Sequence, residues 1–173
     1  QLTRALDVIL QICSGLDYAH KKGIIHQDIK PGNIFIDPYN NVKIVDFGLA
    51  GPLGSTDDNL AGTLYYMPPE LILGEPVDER TDIYSLGITA YEMITGKRPF
   101  PEQNISKIMT IHLQEDAPDP SKIVPELPEE ICRFLMKSVR KDPKKRYKSI
   151  SEILDELAPL TEEMGLTCDP KIS

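Results

Sequence analysis

Apolar positions recur at helical spacing from the first residues of the chain. Leu2, Ala5, Leu6, Ile9, Ile12, Cys13, Leu16 and Ala19 line one face, which predicts an amphipathic helix over residues 2–21. Lys21 and Lys22 suit its C-terminal end, and Gly23 stops it. The next apolar pieces are short: Ile24-Ile25, Ile34-Phe35-Ile36 and Val42 to Val45. Pro, Gly and Asn-Asn separate them, so they read as small strands, with a hairpin turn over Asp37 to Asn41. Pro68-Pro69-Glu70 can open a short helix to Leu73, because proline is tolerated in a first turn.

Asp82 to Thr95 is apolar on most faces, which predicts a helix buried at the centre of a domain and ended by Gly96. Three more helices follow, over Ile105 to Leu113, Glu129 to Val139 and Ser149 to Leu157. Ser149 and Glu152 form an S-x-x-E capping box at the start of the last one. Residues 117–128 hold four prolines and read as an ordered loop. Beyond residue 158 the period is lost. The fold class is therefore mainly α: a helical bundle over residues 1–158 with short β-hairpins near its front, then a tail or linker over 159–173.

Composition narrows the function classes. A chain of 173 residues can bury one core, and 40% hydrophobic with 27% charged residues is ordinary for a globular domain. No apolar run approaches the roughly 18 to 20 residues that span a bilayer. Residues 1–10 mix apolar and polar types, so neither a signal peptide nor a membrane contact is expected. Cys13, Cys132 and Cys168 are odd in number and far apart. They fit a reducing compartment, the cytoplasm, rather than a disulfide framework. A net charge of −8 argues against a nucleic-acid partner. Seven of the 19 basic residues crowd into Lys137 to Lys148, which reads as a solvated helix end and loop.

The chemistry concentrates in His26-Gln27-Asp28-Ile29-Lys30-Pro31-Gly32-Asn33, followed thirteen residues after Asn33 by Asp46-Phe47-Gly48. These are two polar clusters flanking a small hairpin. Oxygen ligands from Asn33 and Asp46 would suit a hard cation such as Mg²⁺. Lys30 beside them would neutralise a transferring phosphoryl group, and Asp28 could accept a hydroxyl proton. Any one of these residues alone would read as a turn residue. Five fixed types in eight positions, His26, Asp28, Lys30, Pro31 and Asn33, have chance odds on the order of one in millions.

That run resembles the H-R-D-x-x-x-x-N catalytic loop of the eukaryotic-type (Hanks-type) protein kinases, and Asp46-Phe47-Gly48 resembles their D-F-G. Gly62-Thr63 with Tyr66-Met67-Pro68-Pro69-Glu70 resembles the end of an activation segment. Asp82-Ile83-Tyr84-Ser85-Leu86-Gly87 resembles the central helix of the C-terminal lobe, and Asp142-Pro143 with Arg146 the element before its last helix. The resemblance spans residues 2–157 and implies a kinase C-terminal lobe. It implies that Asp28 is the base and that Lys30 contacts the γ-phosphate of ATP and marks serine/threonine specificity. Thr63 would bond Asp28 and Lys30, and Asn33 and Asp46 would hold Mg²⁺ (or Mn²⁺). Phe35 would lie under the adenine ring. His26 and Phe47 would stack, Asp82 would fix the catalytic-loop backbone, and Glu70 would pair with Arg146 through a bidentate fork. The partners implied are ATP and a protein substrate bearing Ser or Thr. Oligomeric state is not implied.

Four departures stand out. Gln27 replaces the arginine that pairs with an activation-loop phosphate, and no Lys or Arg lies between Asp46 and Glu70. A phosphate on Ser55 or Thr56 would sit beside Asp57 and Asp58, so the enzyme is expected not to need one. Tyr84 stands where many animal members carry Trp, which looks like the bacterial members. Gly32 stands where some basic-directed members carry an acidic residue, while Glu92 matches another position used for basic substrates, a weak likeness. The 173 residues hold no glycine-rich loop and no V-A-I-K lysine. The N-terminal lobe is thus expected to be absent, and the isolated chain inactive. The alternative reading is a pseudokinase or scaffolding module. It would have lost Asp28, Asn33 or Asp46, and all three are present.

Overall fold

A computed structural model describes residues 1–47 and 62–166. The first stripe forms helix α1, Leu2–Lys21, with Leu6, Ile9, Ile12, Cys13 and Leu16 fully buried. Gly23 adopts φ 77° just after it, a left-handed conformation that costs glycine little. Strands β1, Ile34–Ile36, and β2, Val42–Ile44, pair antiparallel with Ile34 opposite Ile44 and Ile36 opposite Val42. The Asp37 carboxylate closes the turn by accepting the N–H groups of Tyr39 (2.7 Å) and Asn41 (2.9 Å). Ile24-Ile25 is not a strand. The Ile24 N–H returns to the Ala19 carbonyl at 3.0 Å, so this residue belongs to the exit of α1.

Helix α2, Pro69–Ile72, is short. Helix α3, Glu79–Thr95, begins three residues earlier than expected because Asp78 caps it. The Asp78 carboxylate accepts the Arg80 N–H at 2.9 Å, and Thr81 accepts the Asp78 N–H at 3.3 Å. Every residue from Thr81 to Tyr91 is buried, which explains the loss of polar period in this segment. Helices α4, Ile105–Gln114, α5, Glu129–Ser138, and α6, Ile150–Glu163, complete the bundle. The loop before α5 contains a 3₁₀ turn at Pro120–Lys122.

The last helix runs six residues past Leu157, through Pro159. Pro159 lacks the N–H that would bond Asp155, but both residues are exposed and water can serve that carbonyl. Thr161 is buried and bonds back to the Leu157 carbonyl at 3.1 Å, while Met164 and Leu166 pack on the core. The helix therefore continues where sequence period is lost.

Helix α3 is the axis of the bundle, packed against α1 and α5, with α6 covering α1 and α5 from outside. One apolar cluster lies among α1, α3, α5 and α6. A second, with Leu64, Tyr84, Ile88, Phe100 and Ile108, lies under α4. Gly87 lets α3 approach the end of α5: a Cβ there would meet Ser138 Cβ at 2.7 Å and Val139 Cγ1 at 2.8 Å. Cys13 is buried and Cys132 partly so; Cys168 lies outside the described residues.

Candidate active site

Asp82, on the first turns of α3, organises the loop between α1 and β1. It is fully buried. Its Oδ2 accepts the His26 N–H at 2.8 Å and the His20 Nε2–H at 2.7 Å, and its Oδ1 accepts the Gln27 N–H at 2.8 Å. Three donors satisfy a carboxylate that burial would otherwise penalise. Gln27 adopts φ 70°, a left-handed conformation unusual for a side-chain-bearing residue, and the bond to Asp82 holds it there.

His26 Nε2 lies 2.7 Å from the Val45 carbonyl, which can only accept, so Nε2 carries the proton. Nδ1 is then free to accept the Asp28 N–H at 3.0 Å. The ring also meets Phe47 edge to face, 4.5 Å between centroids. His26 thus joins the loop bearing Asp28 to the segment bearing Asp46.

The Asp28, Lys30 and Thr63 side chains form a closed triangle. Lys30 Nζ donates to Thr63 Oγ1 at 2.8 Å, Thr63 Oγ1 donates to Asp28 Oδ1 at 3.3 Å, and Lys30 Nζ stands 3.6 Å from Asp28 Oδ2. Asn33, in the 3₁₀ turn Pro31–Asn33, spends its amide N–H groups on the Asp28 carbonyl (2.8 Å) and Asp28 Oδ2 (3.2 Å). This leaves the amide oxygen as its unused acceptor. Asp46 is exposed, adopts φ 61° and makes no hydrogen bond among the described residues. It follows Val45, whose N–H bonds the Asn33 carbonyl at 2.9 Å, so the hairpin brings both residues to one end of the sheet. An uncommitted amide oxygen and an uncommitted carboxylate fit a hard divalent cation that keeps several waters. Phe35 lies on β1 opposite Lys43 and is 59% exposed.

Behind the site, Glu70 and Arg146 form the expected ion pair, with both side chains buried. Its geometry differs from a two-armed fork. Arg146 Nη1 alone meets both Glu70 oxygens, at 3.1 and 2.8 Å. Nη1 also reaches the Arg80 carbonyl at 3.0 Å, while Nε donates to the Arg140 carbonyl (2.7 Å) and Nη2 to the Lys141 carbonyl (3.1 Å). The guanidinium is therefore a junction for three segments as well as an ion-pair partner. The basic run around it is not one patch. Lys144, Lys145 and Lys148 are exposed, Arg146 is buried, and Lys141 lies over the Phe100 ring at 4.6 Å.

Glu92 is already engaged: the Tyr66 hydroxyl donates to its carboxylate. Burial, with that bond second, raises the Tyr66 phenol well above its ordinary range. Two contributors escaped the sequence reading. His20 supplies the third donor to Asp82, and Ser85 Oγ donates to the Tyr66 carbonyl at 2.7 Å. His20 sits at the polar edge of the α1 stripe, and Ser85 is a lone hydroxyl in an apolar helix; both positions signal a specific bond. An open depression of about 470 Å³ lined by Phe100, Glu102, Ile111, Glu115 and Asp116 contains none of the catalytic candidates.

No described helix is long and apolar enough to cross a membrane. A family model described as "Protein kinase domain" matches residues 2–157. A probable serine/threonine-protein kinase of Clostridium acetobutylicum is 38% identical over 162 residues, which is 91% of this chain and 25% of that protein. Probable serine/threonine-protein kinase PknB of Bifidobacterium longum is 40% identical over 156 residues, 87% of this chain and 23% of that protein. Serine/threonine-protein kinase PknB of Mycolicibacterium smegmatis is 36% identical over 165 residues, 92% and 26% respectively. The chain spans about a quarter of the length of these bacterial relatives. With the mostly helical bundle and its single two-stranded sheet among the described residues, the chain belongs to the protein kinase family, as a C-terminal lobe of the Hanks type.

Proposed function

We propose that the protein carrying this chain transfers the γ-phosphate of ATP to serine or threonine hydroxyls of protein substrates. The observation that carries this reading is the Asp28–Thr63–Lys30 triangle tied to Asn33. Asp28 accepts the proton of the attacking hydroxyl, and Asn33 with Thr63 holds its carboxylate in place. Lys30 presents its ammonium to the transferring phosphoryl group, and Thr63 aims it. Asn33 and Asp46 would hold Mg²⁺ or Mn²⁺, which when bound supplies charge neutralisation for the phosphates. Phe35 offers an apolar face to the adenine ring. A cytoplasmic setting, and no nucleic-acid or membrane partner for this chain, remain part of the reading.

Two further elements belong to the same proposal. Gln27 uses its backbone to bond Asp82 and brings no cation to the site, so activity needs no activation-loop phosphate. Ser55 and Thr56 lie outside the described residues. The 173 residues alone have negligible activity, since they contain neither a glycine-rich loop nor its partner strand lysine.

Full-length protein, ATP, Mg²⁺ and a Ser/Thr peptide test the reading. Transfer is expected, and its absence under all metal conditions would refute it. Phosphatase treatment is expected to leave the rate unchanged; collapse of activity, reproduced by Thr56→Ala, would overturn the phosphate-independent element. Robust transfer by the 173-residue chain would overturn the last one.

A further inference from the structure

Tyr84 stands where many kinases carry a tryptophan, and its hydroxyl can both donate and accept, whereas an indole N–H only donates. It lies 2.7 Å from His112 Nδ1 on α4, and both residues are fully buried. Lys141 Nζ donates to the same hydroxyl at 3.3 Å. Lysine has only protons to give, so the hydroxyl is satisfied when its own proton goes to His112 Nδ1. The imidazole then carries its remaining proton on Nε2. Phe100 meets the ring edge to face at 5.3 Å. Nε2 has no regular hydrogen bond among the described residues. Burial holds the ring well below the usual histidine range, at about 4, and Lys141 adds to this; the Tyr65 and Leu64 backbone opposes the shift. Those two residues directly follow Thr63, the hydroxyl that bonds Asp28 and Lys30, and Leu64, Tyr66 and Met67 pack in one buried cluster with Tyr84 and Phe100, the two rings that flank His112.

We infer that His112 is a positioning residue for the segment Thr63–Met67, aligned by Tyr84 and Lys141, with its Nε2–H directed at the Leu64–Tyr65 carbonyls. A buried N–H without a regular partner is rare and costly. Closing that bond when a protein substrate loads the segment would recover the cost. The same segment is held on its other side by the Ser85 Oγ bond to the Tyr66 carbonyl and by the Tyr66 bond to Glu92. Together these place Thr63 against Asp28 while α4 supports the residues that follow. This inference rests on the kinase reading and adds the support for the substrate-facing loop.

The test compares Tyr84→Phe, His112→Phe, His112→Gln and Lys141→Met in the full-length protein. Tyr84→Phe and His112→Phe keep the packing and remove the hydrogen bonds. Each is expected to raise the peptide KM by about three- to tenfold, with the KM for ATP unchanged. His112→Gln places an amide N–H near the Nε2 position and is expected to recover most of the loss. Lys141→Met should have the smallest effect. Hydrogen exchange at Leu64 to Met67 should quicken in Tyr84→Phe, and the ring ¹⁵N spectrum should report the Nε2–H tautomer. A lowered Tm with peptide KM and loop exchange unchanged would overturn the inference, as would a Gln variant no better than Phe. The exchange and ¹⁵N readouts need no turnover. They decide the tether even if the wild type transfers no phosphate, a result that would instead overturn the kinase reading.

Discussion

Asp82 and Asp28 are two aspartates serving one loop under opposite conditions. Asp82 is fully buried, and its three donors all lie at 2.7–2.8 Å. Asp28 keeps 24% of its side chain exposed, and its carboxylate contacts are longer, at 3.2, 3.3 and 3.6 Å. The same contrast separates the two layers of the lobe. The buried layer (Asp82, Glu70 and Arg146) is closed and short-bonded, so it fixes backbone. The working layer (Asp28, Asn33, Lys30 and Asp46) retains acceptors and a cation for other groups. Rigidity beneath and spare bonding capacity above fit the transfer site proposed for these residues.

Damage to the buried layer should therefore appear in stability and damage to the working layer in rate. The largest stability effect is expected for Glu70→Ala. It strands the Arg146 guanidinium in the interior and should cost about 3–5 kcal/mol in denaturant unfolding. An effect below about 1 kcal/mol would place the pair outside the anchor layer.

Acid should act next. The His112 ring is held at about 4 by burial, below its ordinary value of 6.5, while the unfolded chain takes up the proton near 6.5. Stability from this site is therefore complete above pH 6.5 and falls as pH drops toward 4, by on the order of 3 kcal/mol. Wild type should lose that much more than His112→Phe between pH 7 and 4. Parallel curves would show that the ring titrates normally.

Gly87→Ala is a milder break of the same layer. The added carbon meets Ser138 and Val139, so about 1–3 kcal/mol of destabilisation is expected, with kcat/KM preserved in the folded fraction. Thr63→Ala acts on the working layer: kcat/KM should fall about tenfold, with the midpoint of unfolding barely moved.

Much of this architecture was legible before any coordinates. The α1 stripe and the 34–44 hairpin left readable patterns, and the all-round apolar run of α3 marked a helix buried on every side. The failures have physical causes. Ile24-Ile25 carries a strand-like pair of residues, but its backbone is used to close α1. The end of α6 lost its stripe because Thr161 reaches the core as a polar residue, and because Pro159 is harmless at an exposed position. The start of α3 moved to Glu79 because Asp78 and Thr81 cap each other. In the candidate site, ordered polar types singled out Asp28, Lys30, Asn33, Asp46 and Thr63, and the contacts join Asp28, Lys30, Thr63 and Asn33. His20, Ser85 and the one-nitrogen geometry of Arg146 depend on side chains 62, 19 and 76 positions from their partners, and such pairings leave no local pattern.

The most direct test is Asp28→Asn in the full-length protein, assayed for transfer from labelled ATP to a Ser/Thr peptide beside a thermal melt. Asparagine keeps the shape and cannot take the hydroxyl proton. The expected result is a rate lower by at least about a hundredfold with an unchanged Tm. Transfer at the wild-type rate by a folded Asp28→Asn protein would contradict the role of Asp28 and, with it, the reading of the working layer.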